Sequence, residues 1–568
     1  MKDIMVDMTR GVITSESVQP DDLLAGRAFI DWYLTEHVSP GVHPLSEEAV
    51  FIVSPGMFAG TTAPSSGRLS VGGKSPLTGG VKEANSGGAA GHKLGRLGIR
   101  SIVVTGKADN WQVLRITCDG ISLERAGDVV GLENYAAAAR LRERYGKSVT
   151  TMTAGPAGER GCQNASVAVT DMEGRPARHA ARGGLGSVMG SKRLKAIVID
   201  DAGCKARRAV EPEGFRAAVR AASDYLRASG LVDLVHKFGT DFFYQVEYER
   251  GACVSLNHRA GTVEGAERMN PEAFERWKEQ HGGESGHRCL PGCVVACSNI
   301  VNDSKGNYLT ASLEFETLCF CGTNLGLTDI EQVASIDRRC DDLGLDTIET
   351  GATIGMLNDA GLYEFGDYGR VMELLDEVAK GTPLGRIVAS GAETAARVFG
   401  ISRVPSVKGQ AIPGHAARAS KGWGVTYATS PQGADHTTGA VTADPLSPVL
   451  QVDRSRWSQI VNTALDATGL CHFTFMFQNR EQMDLVLGMI SALYGVEYTK
   501  DDFVALGKRM LQQEREFNRR AGISEAADRL PDWLRREPLP PNDVVFDVPQ
   551  EELDEFFDFS KTTEFIET

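Results

Sequence analysis

The sequence predicts an α+β multidomain protein, β-rich at its N-terminus and mainly helical beyond. Two observations carry that class. Up to about residue 200, short β-branched and alternating runs follow one another; from about residue 209 the apolar period becomes that of a helix. No repeat of 20–50 residues interrupts the pattern.

Taken in order, IRSIVVTGKA (99–108) is a β-branched strand. WQVLRITCDGISLERA (111–126) alternates on both sides of Asp119-Gly120, the signature of a hairpin. LKAIVID (194–200) reads as a buried strand. EPEGFRAAVRAASDYLRASG (211–230) has Pro212 near its start and Gly230 as its expected stop. TDIEQVASIDRRCDDLG (328–344) opens with an expected capping box, Thr328 to Glu331. Helical periods continue through 369–400 and 499–520, and RREPLPPNDVVFDVPQ (535–550) is expected to be a Pro-rich surface segment.

The bulk numbers narrow the function. A length of 568 residues allows about three or four domains. Contents of 42% hydrophobic and 24% charged residues suit a packed protein, and a net charge of −15 argues against nucleic acid as a partner. MKDIMVDMTRGVITSES has no apolar leader core and no run of 18 apolar residues follows, so the expectation is a cytoplasmic protein without a transmembrane segment. Among the 11 cysteines, Cys118, Cys162, Cys204 and Cys253 stand singly and are expected to be buried and inert; a disulfide framework is not expected.

Three features carry chemistry. HRCLPGCVVACSNIV places Cys289, Cys293 and Cys297 close together. With Pro291 expected in a first helical turn, Cys293 and Cys297 would share one helix face near a favourable N-terminus. The tight spacing points to iron–sulfur; zinc completed by His281 or His287 is the alternative. Glycine-rich stretches at 85–91, 154–161 and 181–192 could together present N–H groups to a large phosphorylated cofactor, near Arg68 and Arg182, although none is a Walker A loop or a dinucleotide fingerprint. DDLGLD (341–346) and DATGLC (466–471) echo one another as D-x-x-G-L, and the second ends in a cysteine. Glu314, Glu316 and His436 are candidate proton-transfer groups.

With these motifs assembled, the chain resembles the aldehyde ferredoxin oxidoreductase family of tungsten or molybdenum bis-pyranopterin enzymes. The resemblance runs through 62–108, 181–199, the cysteine cluster, LEFETL, both D-x-x-G-L motifs, YATSPQGADH and EREFNRRAGIS (514–524). It implies a pterin-binding base (1–205), a helical domain with the cluster cysteines (206–405) and a second helical domain (406–568). It implies a tungsten (or molybdenum) bis-pterin, magnesium bridging the pterin phosphates, and a [4Fe-4S] cluster for which Cys471 is the fourth ligand after Cys289, Cys293 and Cys297. Asp341, Gly344, Leu345 and Asp346 would serve one pterin; Asp466, Gly469 and Leu470 the other. Arg68, Asn85, Gly87, Arg182 and Gly183 would lie near the phosphates. Glu314 would act as general base, with Glu316 beside it, and His436 would bond the substrate oxygen. The implied reaction oxidises an aldehyde with water to the carboxylic acid, electrons leaving to ferredoxin or an iron–sulfur subunit.

The departures from the family pattern are local. Leu290 lengthens the usual cluster spacing to C-x3-C-x3-C. Ala416-Ala417-Arg418 replaces D-P-R. Glu331-Gln332-Val333-Ala334 lacks the histidine of a subunit-bridging metal site, so a homodimer would need other contacts. Competing readings are a carboxylate- or aromatic-ring-reducing subunit of the same superfamily, a non-catalytic electron-transfer protein, and a zinc-stabilised scaffold.

Overall fold

The computed structural model describes residues 1–568. Its N-terminal part holds two six-stranded sheets packed around one apolar core that includes Ile4, Val71, Ile102, Met152, Val167 and Ile197. The first sheet runs in the order Val12–Ser17, Lys2–Asp7, Ile99–Thr105, Phe51–Pro55, Leu69–Lys74, Val81–Ser86. The second runs Ile121–Arg125, Gln112–Ile116, Leu194–Ile199, Thr150–Ala154, Val167–Val169, Arg178–Ala180. In each sheet the opening hairpin is antiparallel, its first strand pairs in parallel with the last strand of its half, and the remaining pairs are antiparallel. The base is therefore one topology used twice. The sequence shows no trace of this, because a strand pattern can be kept while side chains diverge.

The duplication aligns features that look unrelated in the chain. The glycine-rich stretches around Gly87 and Gly183 both follow the last strand of the meander and lead into a short helix, Ala90–Arg96 or Leu185–Ser191. Gly56 and Gly155 both follow the strand at the centre of a half. The strands and the hairpin at Asp119-Gly120 lie where their patterns placed them.

Each half of the base receives one helix end. Helices Ile330–Leu343 and Gln451–Thr468 both finish on a left-handed glycine, Gly344 and Gly469, each at φ 75°. Both D-x-x-G-L motifs are thus helix C-termini, with the aspartate three residues before the glycine. The Arg68 N–H donates to Gly469 O at 3.1 Å, and the Ser166 N–H to Gly344 O at 2.9 Å, from equivalent positions of the two halves. A Cβ on Gly56 would lie 2.1 Å from Gly469 N, and one on Gly344 would lie 3.2 Å from Gly155 Cα. Only glycine permits these approaches.

Several local expectations are corrected. Helix Pro212–Arg227 stops before Gly230, which instead sits in the first turn of Gly230–Phe238. The helix at 330 is capped by Asp329, which accepts from Gln332 N, while Glu331 accepts from Ser304; Asp wins because it stands one residue nearer the helix. The 535–550 segment is anchored rather than superficial: Leu539, Phe546 and Val548 are fully buried. Cys118 and Cys204 are not buried singles. Cys118 is exposed, and the two are disulfide-bonded with Cα atoms 6.0 Å apart, because the parallel strands Gln112–Ile116 and Leu194–Ile199 leave the sheet side by side. Finally, helix Pro212–Arg227, assigned by sequence to the middle domain, packs against Arg480–Tyr494 and shares its core with Trp457, Met489 and Phe503. Its apolar stripe finds its partner across the chain.

Replacing Gly56 with alanine should destabilise the protein by about 1–3 kcal/mol through this overpacking, read as a lower unfolding midpoint. The same substitution at exposed Gly131, which has nothing within 4 Å of its Cβ position, tests only backbone conformation and should cost less.

Candidate functional site

The cysteine segment is not helical. It is the loop between strands Glu284–His287 and Ser298–Asn302, and left-handed Gly292 and Ala296 turn it. Pro291 serves a turn rather than a helix start, so the expected shared helix face is lost, yet the thiols still converge. The Cys289 and Cys293 thiols hydrogen-bond one another, which raises Cys289 and lowers Cys293 from the usual thiol range. Burial pushes Cys297 and Cys471 up, and both stand in the field of Cys289. Leu290, the extra residue, is fully buried with Val232, Val235 and Val295, so the longer spacing anchors the loop.

Ser65 ties the distant thiol to this loop. Its N–H donates to Gly292 O at 3.0 Å, its hydroxyl accepts from Val294 N at 2.9 Å, and its carbonyl accepts from Cys471 N at 3.0 Å. Gly87 lies under Cys289, with 3.6 Å between its Cβ position and Sγ. Arg68 stands in the field of Cys471, Cys289 and Asp466 and donates to Asn85. No three of the four sulfurs fall within 4.8 Å of one another. One zinc ion with bonds of about 2.3 Å would need them closer, so a cluster fits better. His287 faces Glu173, Arg175 and Arg178 rather than the four thiols, and its ring nitrogen gathers with carboxylate oxygens of Asp171 and Glu173 instead.

The two helix-end aspartates are held differently. Asp341 Oδ1 lies 3.0 Å from His179 Nε2, while its Oδ2 is buried without a partner. Asp466 takes Arg27 at 3.1 Å on one oxygen and His472 at 2.7 Å on the other. Burial pushes Asp466 up, but His472 and Arg27 hold it below the usual carboxylate range. Arg27 also forks onto Glu514 at 2.8 and 2.9 Å, and Gln432 donates to Glu514 at 2.7 Å. Glu83 beside this cluster is pushed up to about 8 by burial and Asp466.

Asp346 and Cys471 occupy the same place in the two motifs and diverge in use. Asp346 caps helix Thr347–Met356 through Ile348 N and accepts from Arg182 at 3.3 Å. Arg182 spends its other contacts on Ala434 O and Ala411 O, at 2.6 and 2.7 Å. Gly183, at φ 84°, leaves room for Lys82, which pairs with Asp435. Arg182 and Gly183, expected near phosphate, therefore hold the loop that carries His436.

Of the two glutamates, Glu316 faces that loop. It accepts from Gly414 N at 2.7 Å, and its Oε1 is buried without a partner. Burial lowers His436 below the ordinary imidazole range; Glu316 is the strongest charge opposing that, and His436 Nδ1 is also unbonded. Tyr427, fully buried with a free hydroxyl, stands in the field of the same Glu316, Arg182 and Asp435. Glu314, expected as the base, points elsewhere: Thr240 donates to it at 2.6 Å, and Arg178 and Arg68 are its other neighbours. Its position as N-cap of helix Phe315–Phe320 turns it from Glu316 by part of a helical turn. Gly344, Leu345, Gly469 and Leu470 make the motif backbones. Tyr427 and His415, which stacks on Trp423 at 4.3 Å, were not singled out by sequence; a lone aromatic carries no local signal.

A duplicated base that grips two helix-end carboxylates, with four thiols beside one of them, defines a cofactor-bearing redox protein. Comparison with known families gives it a place. The N-terminal domain of aldehyde ferredoxin oxidoreductase matches residues 4–201, and domains 2 and 3 match 217–562. The chain belongs to the aldehyde ferredoxin oxidoreductase family, as its motifs implied, and is an oxidoreductase. The tungsten-containing aldehyde ferredoxin oxidoreductase of Pyrococcus furiosus is 30% identical over 94% of this chain and 91% of its own length. That of Thermococcus kodakarensis is 29% identical over 91% and 88%. A WOR-like subunit of an aliphatic sulfonate oxidoreductase from Pyrococcus furiosus is 25% identical over 90% and 84%. The active-site complex BamBC of benzoyl coenzyme A reductase with 1,5-dienoyl-CoA shares the fold, at TM-score 0.82 and 19% identity, covering 100% of this chain and 95% of that one. Membership implies a pterin–tungsten cofactor. No helix is long and apolar enough to cross a membrane.

Asp435→Asn should destabilise the protein by about 3–5 kcal/mol, because it leaves Lys82 buried and unpaired; chemical denaturation checks it. Burial pushes the Asp435 carboxyl up, but Lys82 and Arg182 hold its pKa well below the usual carboxylate range. Its contribution is therefore complete above the ordinary carboxylate pKa and is lost as pH falls further. Asp435→Asn should flatten that acid limb.

Proposed function

We propose that the protein oxidises an aldehyde with water to the carboxylic acid at a tungsten (or molybdenum) bis-pterin, passing electrons through one [4Fe-4S] cluster to ferredoxin or an iron–sulfur subunit. One observation carries the reading: Glu316, His436 and Tyr427 share one field and each keeps a buried polar atom that no protein group bonds. Buried polar atoms left open in this way await a polar ligand. A purely electron-carrying protein has no use for them. The aldehyde is chosen because the relatives at 29–30% identity carry that activity in their names.

The residues fit the absent groups. The free oxygen of Asp341 suits an N–H of one pterin, and Asp466, held ionised, suits the other. Cys289, Cys293, Cys297 and Cys471 would hold the cluster beside Gly87 and Arg68. Asn85, near the end of strand Val81–Ser86, and Arg68 remain the donors for phosphate and its magnesium. When bound, the metal centre supplies the two-electron oxidation. Glu316 takes the proton of the attacking water at its open oxygen, and the neutral imidazole of His436 bonds the aldehyde oxygen. Homodimerisation through contacts other than a bridging metal stays part of the proposal.

Anaerobically purified protein should contain about one tungsten or molybdenum and about four irons per chain; zinc alone would sink the reading. Glu316→Gln should keep these metals and lose about 10²–10⁴ in kcat for aldehydes. Because His436 lies below its ordinary value of 6.5, the neutral imidazole persists into mild acid, and the acid limb of kcat/KM should fall below pH 6.5. Cys471→Ser should lower the iron content and the cluster signal in electron paramagnetic resonance.

A further inference from the structure

Cys253 stands alone in the sequence, yet the fold gives it a partner. Its Sγ lies 3.4 Å from Sγ of Cys319, and both residues are fully buried. The two thiols come from separate elements, and both elements meet Glu316. Cys319 follows Glu316 by three residues in helix Phe315–Phe320, so the two share a face. Cys253 forms an antiparallel bridge with His415. Around that bridge, Val254 N–H donates to Gly414 O at 3.1 Å and Ala416 N–H donates to Ala252 O at 2.9 Å. Gly414 N–H in turn donates to Glu316 at 2.7 Å. A Cβ on Gly414 would lie 3.0 Å from Glu316 Oε2 and 3.1 Å from Cys319 Sγ, so carboxylate and thiol flank one glycine.

Two sulfurs in contact are placed for one reaction. They need to approach by only about 1.4 Å to reach the disulfide length of about 2.0 Å, a movement that side-chain torsions supply. Burial and the bond to Cys253 push the Cys319 thiol well above its usual range. It therefore rests as S–H, and the pair persists as a dithiol until an oxidant reaches it. The other oxygen of Glu316 is open toward the substrate side. A site that admits water there admits hydrogen peroxide, which has the same hydrogen-bonding character and one more oxygen.

We propose that Cys253 and Cys319 form a reversible disulfide when hydrogen peroxide enters the Glu316 site, and that this bond switches the enzyme off. The loss of activity rests on the proposed role of Glu316; formation of the bond does not. The Cys319 sulfur attacks the peroxide, the O–O bond breaks, and a sulfenic acid and one water form. The Cys253 sulfur then attacks the sulfenic sulfur, and the hydroxyl leaves with the Cys253 thiol proton as a second water. Two thiols thus lose two electrons and two protons, and one peroxide is reduced to two waters. Drawing Cys319 onto Cys253 pulls helix Phe315–Phe320 toward the 252–255 segment and disturbs the bond between Gly414 and Glu316.

The test treats anaerobically purified holoenzyme with a small molar excess of hydrogen peroxide. Peptide mapping without reductant should show Cys253 joined to Cys319, with fragmentation assigning the bond to Cys319 rather than Cys321. Aldehyde oxidation should fall about tenfold or more, with iron and tungsten unchanged, and dithiothreitol alone should restore it. Cys253→Ala and Cys319→Ala should match wild type before treatment and keep their activity after it. Wild type that loses activity with both thiols still free overturns the proposal. So does an equal loss in Cys253→Ala, which places the damage at the metal centres. A joined pair with full activity overturns the switch. The map needs only wild type, so a variant that fails to fold leaves the bond testable. An enzyme that oxidises no aldehyde before treatment would defeat the proposed function, and the map would still read the bond.

Discussion

The structure depends on glycine meeting backbone at two equivalent places. Gly56 and Gly155 end the same strand of the two base halves, and each lets the left-handed glycine of a helix terminus come within contact distance. Those two contacts bring the helical parts onto the base. They also set the height at which Asp341 and Asp466 stand over it, and Cys471 follows from the second. A Cβ at any of them would push a carboxylate away from its half. The stability of the assembly and the geometry of the site thus share one steric condition.

Within that frame the electrostatics divide the two halves. Asp466 is fixed by a guanidinium and an imidazole inside a network reaching Glu514, Gln432 and Glu83. Asp341 is met only by His179 and keeps an open oxygen. The thiols gather on the Asp466 side, where Arg68 balances them. One backbone plan therefore supports Cys471 and its three neighbouring thiols on one side and a helix cap, Asp346, on the other. Buried carboxylates are costly unless paired or protonated, and this molecule uses both remedies: ion pairs for Asp466 and Asp435, raised pKa values for Glu83 and Asp241.

Much of this was legible from local pattern. Strands at 99–108 and 194–200 and the hairpin at Asp119-Gly120 depend on alternation and turn chemistry, which neighbours in sequence decide. The tight cysteine spacing and the D-x-x-G-L echo were visible for the same reason. The loop around Cys293 was not, since Pro291 suits a turn as well as a helix start, and only the flanking strands choose. Leu539, Phe546 and Val548 were hidden by the prolines around them. Glu314 and Glu316 are two residues apart and chemically alike; a helix start beginning between them sends one to Thr240 and the other to His436.

By itself the sequence determined the α+β class, the family and the set of thiols, carboxylates and histidine, because those rest on residue identity and short-range order. Tertiary structure alone decided the duplication of the base, the union of Cys471 with its three partners through Ser65, and the assignment of Arg182 to the His436 loop. It also decided that helix Pro212–Arg227 packs with the C-terminal helices. Each of these joins residues far apart in the chain, and such contacts follow from which buried surfaces and open backbone groups can satisfy one another in space.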